Sequence, residues 1–137
     1  MEHASALASV NWLAVIAATV ATFVLGGLWY GPLAGKVWMR ASGMTEERAR
    51  QGNMALTFGL SFALQLVAAT VLAMFLGAGS SARVGLMAGL AVGVGWVATS
   101  LGVIYLFEQR PVAHWAANAG YMVLAFAIMG VILGAWR

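Results

Sequence analysis

Asn53, Thr57, Ser61 and Gln65 recur at steps of four in an otherwise apolar stretch, and His114, Asn118 and Tyr121 fall at i, i+4 and i+7 further along. At about 100° per residue a step of four drifts by about 40°, so each set draws one polar stripe on a helix. Tyr30, Glu108 and Arg110 stand at the ends of neighbouring apolar runs, on the side from which both stripes start. Two chemistries fit these types at this spacing. In one, Asn53, Thr57 and Asn118 hydrogen-bond a small polar solute or ion, Glu108 and His114 set charge selectivity, and Gln65 marks a constriction. In the other, the same groups form an inter-helical network that fixes register, each bond worth roughly 0.6–2 kcal/mol. Both require the stripes to face protein or water, because lipid offers no hydrogen-bond partners.

Other chemistries lack their residues. The chain has neither Cys nor Asp, so it holds no thiolate nucleophile, no disulfide framework and no Cys-ligated metal. Glu108 and His114 are six apart and His3 is isolated, which gives no metal-ligand spacing. No nucleophile elbow surrounds Ser61, and no Gly-rich phosphate loop follows a strand pattern. The expectation is a protein that is not an enzyme, with no cofactor, no metal and no nucleic-acid partner.

The elements that must position these residues follow from where the charges fall. Of 137 residues, 63% are hydrophobic and 8% charged. Charge-free runs cover 3–35, 51–82, 84–107 and 111–136. Each exceeds the ~20 residues that a helix needs to cross the hydrocarbon core. A soluble globular domain, a nucleic-acid binder and a disordered tail are thereby excluded. The predicted spans are 10–30, 53–76, 84–107 and 112–136, in a single transmembrane domain over 1–137. The fold class is all-α integral membrane: four transmembrane helices in an antiparallel bundle, with an interfacial segment over 33–50. Gly31-Pro32 is read as ending the first span, and the N-terminal run is too long for the apolar region of a cleaved signal, so that span is read as retained. In the 33–50 segment Leu33, Val37 and Ala41 share one helical face, Lys36 and Arg40 form a basic pair, Gly43 stops the helix and Thr45 caps a new turn.

Orientation follows from counting Lys and Arg. Lys36, Arg40, Arg48, Arg50 and Arg110 fall on one side, against Arg83 and Arg137 on the other. The cell membrane is the expected location, with the 31–52 and 108–111 connections cytoplasmic and both termini outside. Glycines add a second pattern: Gly85, Gly89 and Gly93 recur every four residues, as do Gly130 with Gly134 and Gly27 with Gly31. Small residues at i,i+4 let helix backbones approach closely in lipid. Tight packing inside one bundle and a homo-oligomer interface on the third span both explain them. The partners expected are the lipid bilayer and a second copy or other membrane helices.

Several motifs resemble one family. Asn11-Trp12, WYGPLAGKVWM at 29–39, Thr45-Glu46-Glu47, Asn53-Met54, LFEQRP at 106–111 and NAGY at 118–121 look like the domain-of-unknown-function 1761 family across essentially the whole chain. The resemblance implies a small four-helix integral membrane protein and brings no established activity, substrate or cofactor. Its recurrent motifs fall on Tyr30, Asn53, Glu108, Arg110, Asn118 and Tyr121. The functional expectation is a channel or transporter for a small polar solute or ion through a cytoplasm-facing polar cluster. The alternative is a non-catalytic structural or accessory subunit that docks on other membrane helices through its Gly-rich faces.

Overall fold

The computed structural model describes residues 10–77 and 79–136, and every regular element among them is helical. In chain order these are α1 (Trp12–Leu33), α2 (Gly35–Ser42), α3 (Glu46–Gln51), α4 (Met54–Leu76), α5 (Ala82–Phe107) and α6 (Val112–Ala135). Four of them, α1, α4, α5 and α6, are long and apolar enough to cross a membrane. Side-chain caps start the helices where the sequence supplies them. Asn11 Oδ1 accepts from the Leu13 and Ala14 amides, Asn53 Oδ1 from Leu56, Ser81 Oγ from Val84 and Thr45 Oγ1 from Arg48. Each cap satisfies amides that have no partner within their own helix. Gly43, at φ 74°, closes α2 in the left-handed conformation that glycine adopts without steric cost.

One boundary departs from expectation. Proline 32 does not end α1 at Tyr30; the helix continues through Leu33 as a widened turn of π-helix. Proline has no amide hydrogen and crowds the carbonyl four residues back, here Leu28, so the turn opens. The Ala34 amide then donates to the Trp29 carbonyl at 2.6 Å. A second wide turn covers Gly93–Ala98 within α5.

The hub is α6, half of whose central window is buried, against 17% for α4 and 11% for α5. Its Ala117, Ala119, Ala125, Ala127, Gly130 and Gly134 are small enough to admit neighbours on several sides. The tightest seam joins α5 to α6, with Gly85 against Gly130, Gly89 against Phe126 and Gly93 against Val123, so residue numbers rise on one helix as they fall on the other. A Cβ on Gly85 would overlap the Gly130 carbonyl, and one on Gly130 would overlap that of Gly85. The Gly85–Gly89–Gly93 stripe therefore faces α6 of the same chain. Of the two readings of this stripe, tight packing inside one bundle is the one that these contacts supply. At the far end of the molecule Val15, Ala18, Ala69, Leu72, Met129 and Leu133 form the apolar core. There Asn11 Nδ2 also donates to the Trp136 carbonyl at 3.3 Å.

Candidate functional site

The wide turn at Trp29–Leu33 sets the first contacts of the polar layer. Trp29 Nε1 donates to the Ala117 carbonyl at 2.8 Å, and the Tyr30 hydroxyl donates to Asn118 Oδ1 at 2.6 Å. Asn118 Nδ2 in turn donates to the Tyr105 hydroxyl at 2.8 Å, so one amide ties α1, α5 and α6 together. One turn deeper lies a closed ring. The Thr22 hydroxyl donates to Gln65 Oε1 at 2.6 Å, Gln65 Nε2 donates to the Tyr121 hydroxyl at 2.6 Å, and that hydroxyl donates to the Thr22 carbonyl at 3.0 Å. Each of these side chains finds a protein partner, as a low-dielectric interior demands.

The outer end of the layer carries the charges. After Phe107 the chain turns through Gln109 at φ 57°, with the Arg110 amide bonded to the Tyr105 carbonyl at 2.9 Å and the Gln109 amide to Leu106 at 3.2 Å. That pair of bonds is the glycine-type helix ending, here with glutamine in the left-handed position. It places Glu108 and Arg110 side by side, Nε to Oε1 at 2.5 Å, both about half exposed. The Arg110 guanidinium lies 5.9 Å from the Tyr105 ring centroid, and the Tyr105 ring stacks on His114 at 4.8 Å. His114 is 6% exposed, and its Nδ1 has no hydrogen-bond partner among the described residues.

Of the cavities beside this layer, one of about 650 Å³, lined by Trp29, Trp115 and Val123, is almost wholly apolar, and two others present polar groups. A pocket of about 380 Å³ is lined by Trp38, Ser42, Met44, Arg48, Tyr105, Glu108, Arg110, His114 and Asn118. A larger one of about 620 Å³, between α1 and α4, is lined by Phe23, Gly26, Gly27, Tyr30, Gly31, Phe58, Ser61, Gln65 and Tyr121. Tyr30 belongs to the larger cavity and Asn118 to the smaller, so their hydrogen bond stands at the wall between the two.

Among the residues singled out from the sequence, Glu108, Arg110, His114 and Asn118 share the small pocket, and Tyr30, Gln65 and Tyr121 share the large one. Asn53 and Thr57 join neither: Asn53 caps α4, and both are exposed. The glycines Gly85, Gly89, Gly93, Gly130 and Gly134 lie in the α5–α6 seam, away from both cavities. Thr22, Trp29, Trp38, Arg48 and Tyr105 are site residues that the stripes did not point to. Thr22 carried a signal, being one of the few polar residues in the first span. Tyr105 did too, three residues before Glu108 on the helix that ends beside it. Among the described residues no three His, Cys, Asp or Glu gather as a metal site would need.

Four helices long and apolar enough to cross a membrane, folded around an internal polar layer, are compatible with a multi-pass membrane protein. The family model for DUF1761, described as a protein of unknown function, matches residues 13–134, and the chain belongs to that family. No curated protein and no solved structure matches the chain.

Proposed function

We propose that the protein is a small channel or transporter that admits a polar solute or ion from the charged pocket and passes it to the cavity between α1 and α4. In this reading the four long helices form an antiparallel bundle in the cell membrane. α2 lies in the interface with its exposed Val37 toward lipid, beside the exposed Leu33 that ends α1. The excess of Lys and Arg around α2, α3 and Arg110 supports a cytoplasmic charged pocket with both termini outside. The observation that carries the reading is the Tyr30–Asn118 hydrogen bond between two cavities, each of which presents polar groups to its interior. It acts as a gate, and the Thr22–Gln65–Tyr121 ring forms the floor below it.

Flux into liposomes holding the purified protein tests this. A transmembrane hydrogen bond contributes roughly 0.6–1.7 kcal/mol, so Tyr30→Phe should raise the open population, and the flux, by roughly 3–20-fold. No flux of any common ion or small solute above protein-free liposomes, for wild type and Tyr30→Phe alike, would refute the reading.

A second reading draws support from the closure of the ring, which needs no solute to satisfy it. Here the protein is a non-catalytic accessory subunit. The Gly85 stripe being occupied, such a subunit would dock through the outer face of α4, where Leu60, Leu64, Val67 and Val71 are exposed. Purification in gentle detergent with a second protein at fixed stoichiometry would favour it.

A further inference from the structure

We propose that the small pocket is a binding site for a monoanionic oxyanion, a phosphodiester or a carboxylate; this names the solute class of the site described above and rests on that reading only for its link to transport. The charge balance comes first. Glu108 is paired with Arg110, and Arg48 has no carboxylate within 4.0 Å among the described residues, so the pocket carries one uncompensated cation. Guanidinium groups present planar forks of N–H donors that fit the two oxygens of a carboxylate or phosphate, and the Arg110 fork has only its Nε engaged by Glu108.

The second observation is independent of charge. His114 is buried, lines the pocket, and leaves Nδ1 without a partner among the described residues. Nδ1 itself is closed off from solvent, and a buried ring nitrogen left unsatisfied is costly, so a turn of the ring that brings Nδ1 to a ligand oxygen in the pocket is favoured. Trp38 and the Tyr105–His114 stack give apolar walls for the remainder of a small organic anion. At about 380 Å³ the pocket holds a headgroup-sized molecule, at the lower end of the range of ligand sites. Two sources supply this chemistry: the phosphodiester of an anionic lipid reaching the pocket from the membrane surface, and a free anion from the aqueous side.

The test uses full-length protein in nanodiscs. In phosphatidylcholine discs, dimethyl phosphate and lactate are titrated while tryptophan fluorescence is followed, with choline as the cationic control. In a parallel arm, native mass spectrometry compares retention of phosphatidylglycerol with that of phosphatidylcholine. A saturable response to the soluble anions, weakened at least tenfold by Arg48→Gln and unchanged by Arg83→Gln at the opposite end, supports a free anion. Selective retention of phosphatidylglycerol that Arg48→Gln abolishes supports the lipid. Arg48 is exposed on α3, so its replacement leaves the packed core untouched, and Trp38→Phe provides a second variant that should remove the fluorescence response. Absence of both signals, an equal response to choline, or binding indifferent to Arg48→Gln would overturn the inference. Its failure is distinct from that of the transport reading: anion binding without liposome flux refutes transport alone, and flux without anion binding refutes the anion site alone.

Discussion

Replacing Gly130 by alanine tests the α5–α6 seam most directly. A Cβ built on Gly130 lies 2.7 Å from the Gly85 carbonyl carbon and 3.4 Å from Gly89 Cα, and what it meets first is backbone. Backbone cannot swing aside as a side chain can. Optimal carbon–carbon separation is about 3.5–4.0 Å, so the helices must part by roughly an ångström. A gap of that size forfeits a quarter to a half of the dispersion energy at each contact, and along a seam of this length the loss sums to about 2–3 kcal/mol. That agrees with the 1–3 kcal/mol typical of overpacked interiors. The control is Gly59→Ala on α4, where a Cβ meets nothing within 4 Å and the gain in helix propensity is about 0.5–1 kcal/mol. Reversible unfolding in mixed micelles should therefore separate the two variants by about 3 kcal/mol, with opposite signs. If Gly130→Ala is as stable as wild type, the seam is not as close as described and the argument fails.

Other consequences are open to the same kinds of measurement. Gln65→Leu should cost only about 1 kcal/mol in that unfolding assay, since the Tyr121 hydroxyl keeps the Thr22 carbonyl and the Thr22 hydroxyl, released from Gln65, can donate to the Thr19 carbonyl at 3.0 Å; the liposome flux should nevertheless rise as the floor opens, and unchanged flux would count against the floor assigned to that ring. Gln109→Gly should stabilise the protein by about 1 kcal/mol, because glycine adopts φ 57° without a Cβ clash; a destabilised variant would contradict the turn geometry. Trp29→Phe removes the indole bond to the Ala117 carbonyl and should lower the unfolding midpoint by the equivalent of about 1 kcal/mol, with no change expected from Trp96→Phe on the exposed face of α5.

The spans could be read from the sequence because run length depends on nothing but the absence of charge, and a bilayer tolerates few alternatives. The caps at Thr45 and the stop at Gly43 were legible for a similar reason, being decided within three or four residues. Pro32 was not. Taken locally it ends a helix, but the backbone widens instead, and the Ala34 amide finds the Trp29 carbonyl across an i→i+5 turn. The polar stripe on α4 was half legible. Periodicity placed Ser61 and Gln65 on the cavity side, yet it could not reveal that Asn53 caps the helix or that Thr57 is exposed and lines neither cavity. Thr22 and Tyr105 went unselected because each works with partners on other helices, and spacing along one helix carries no such information. The Gly85 stripe announced a close approach without naming the partner; the glycines of α6 decided that.

The position of α6 at the hub has a consequence for how the protein is made. α1 leaves the ribosome first, while the Ala117 carbonyl that receives Trp29 and the Asn118 side chain that receives Tyr30 are 88 residues later. At roughly 5–20 residues per second the first helix waits on the order of 5–20 s for those partners. In that interval α4 is the helix already able to engage it, through the edge-to-face contacts of Phe23 with Phe58 and Phe62 at 5.9 and 5.7 Å and through Thr22 with Gln65. The order of synthesis thus lets α4 shelter the polar face of α1 in the interval before α6 emerges.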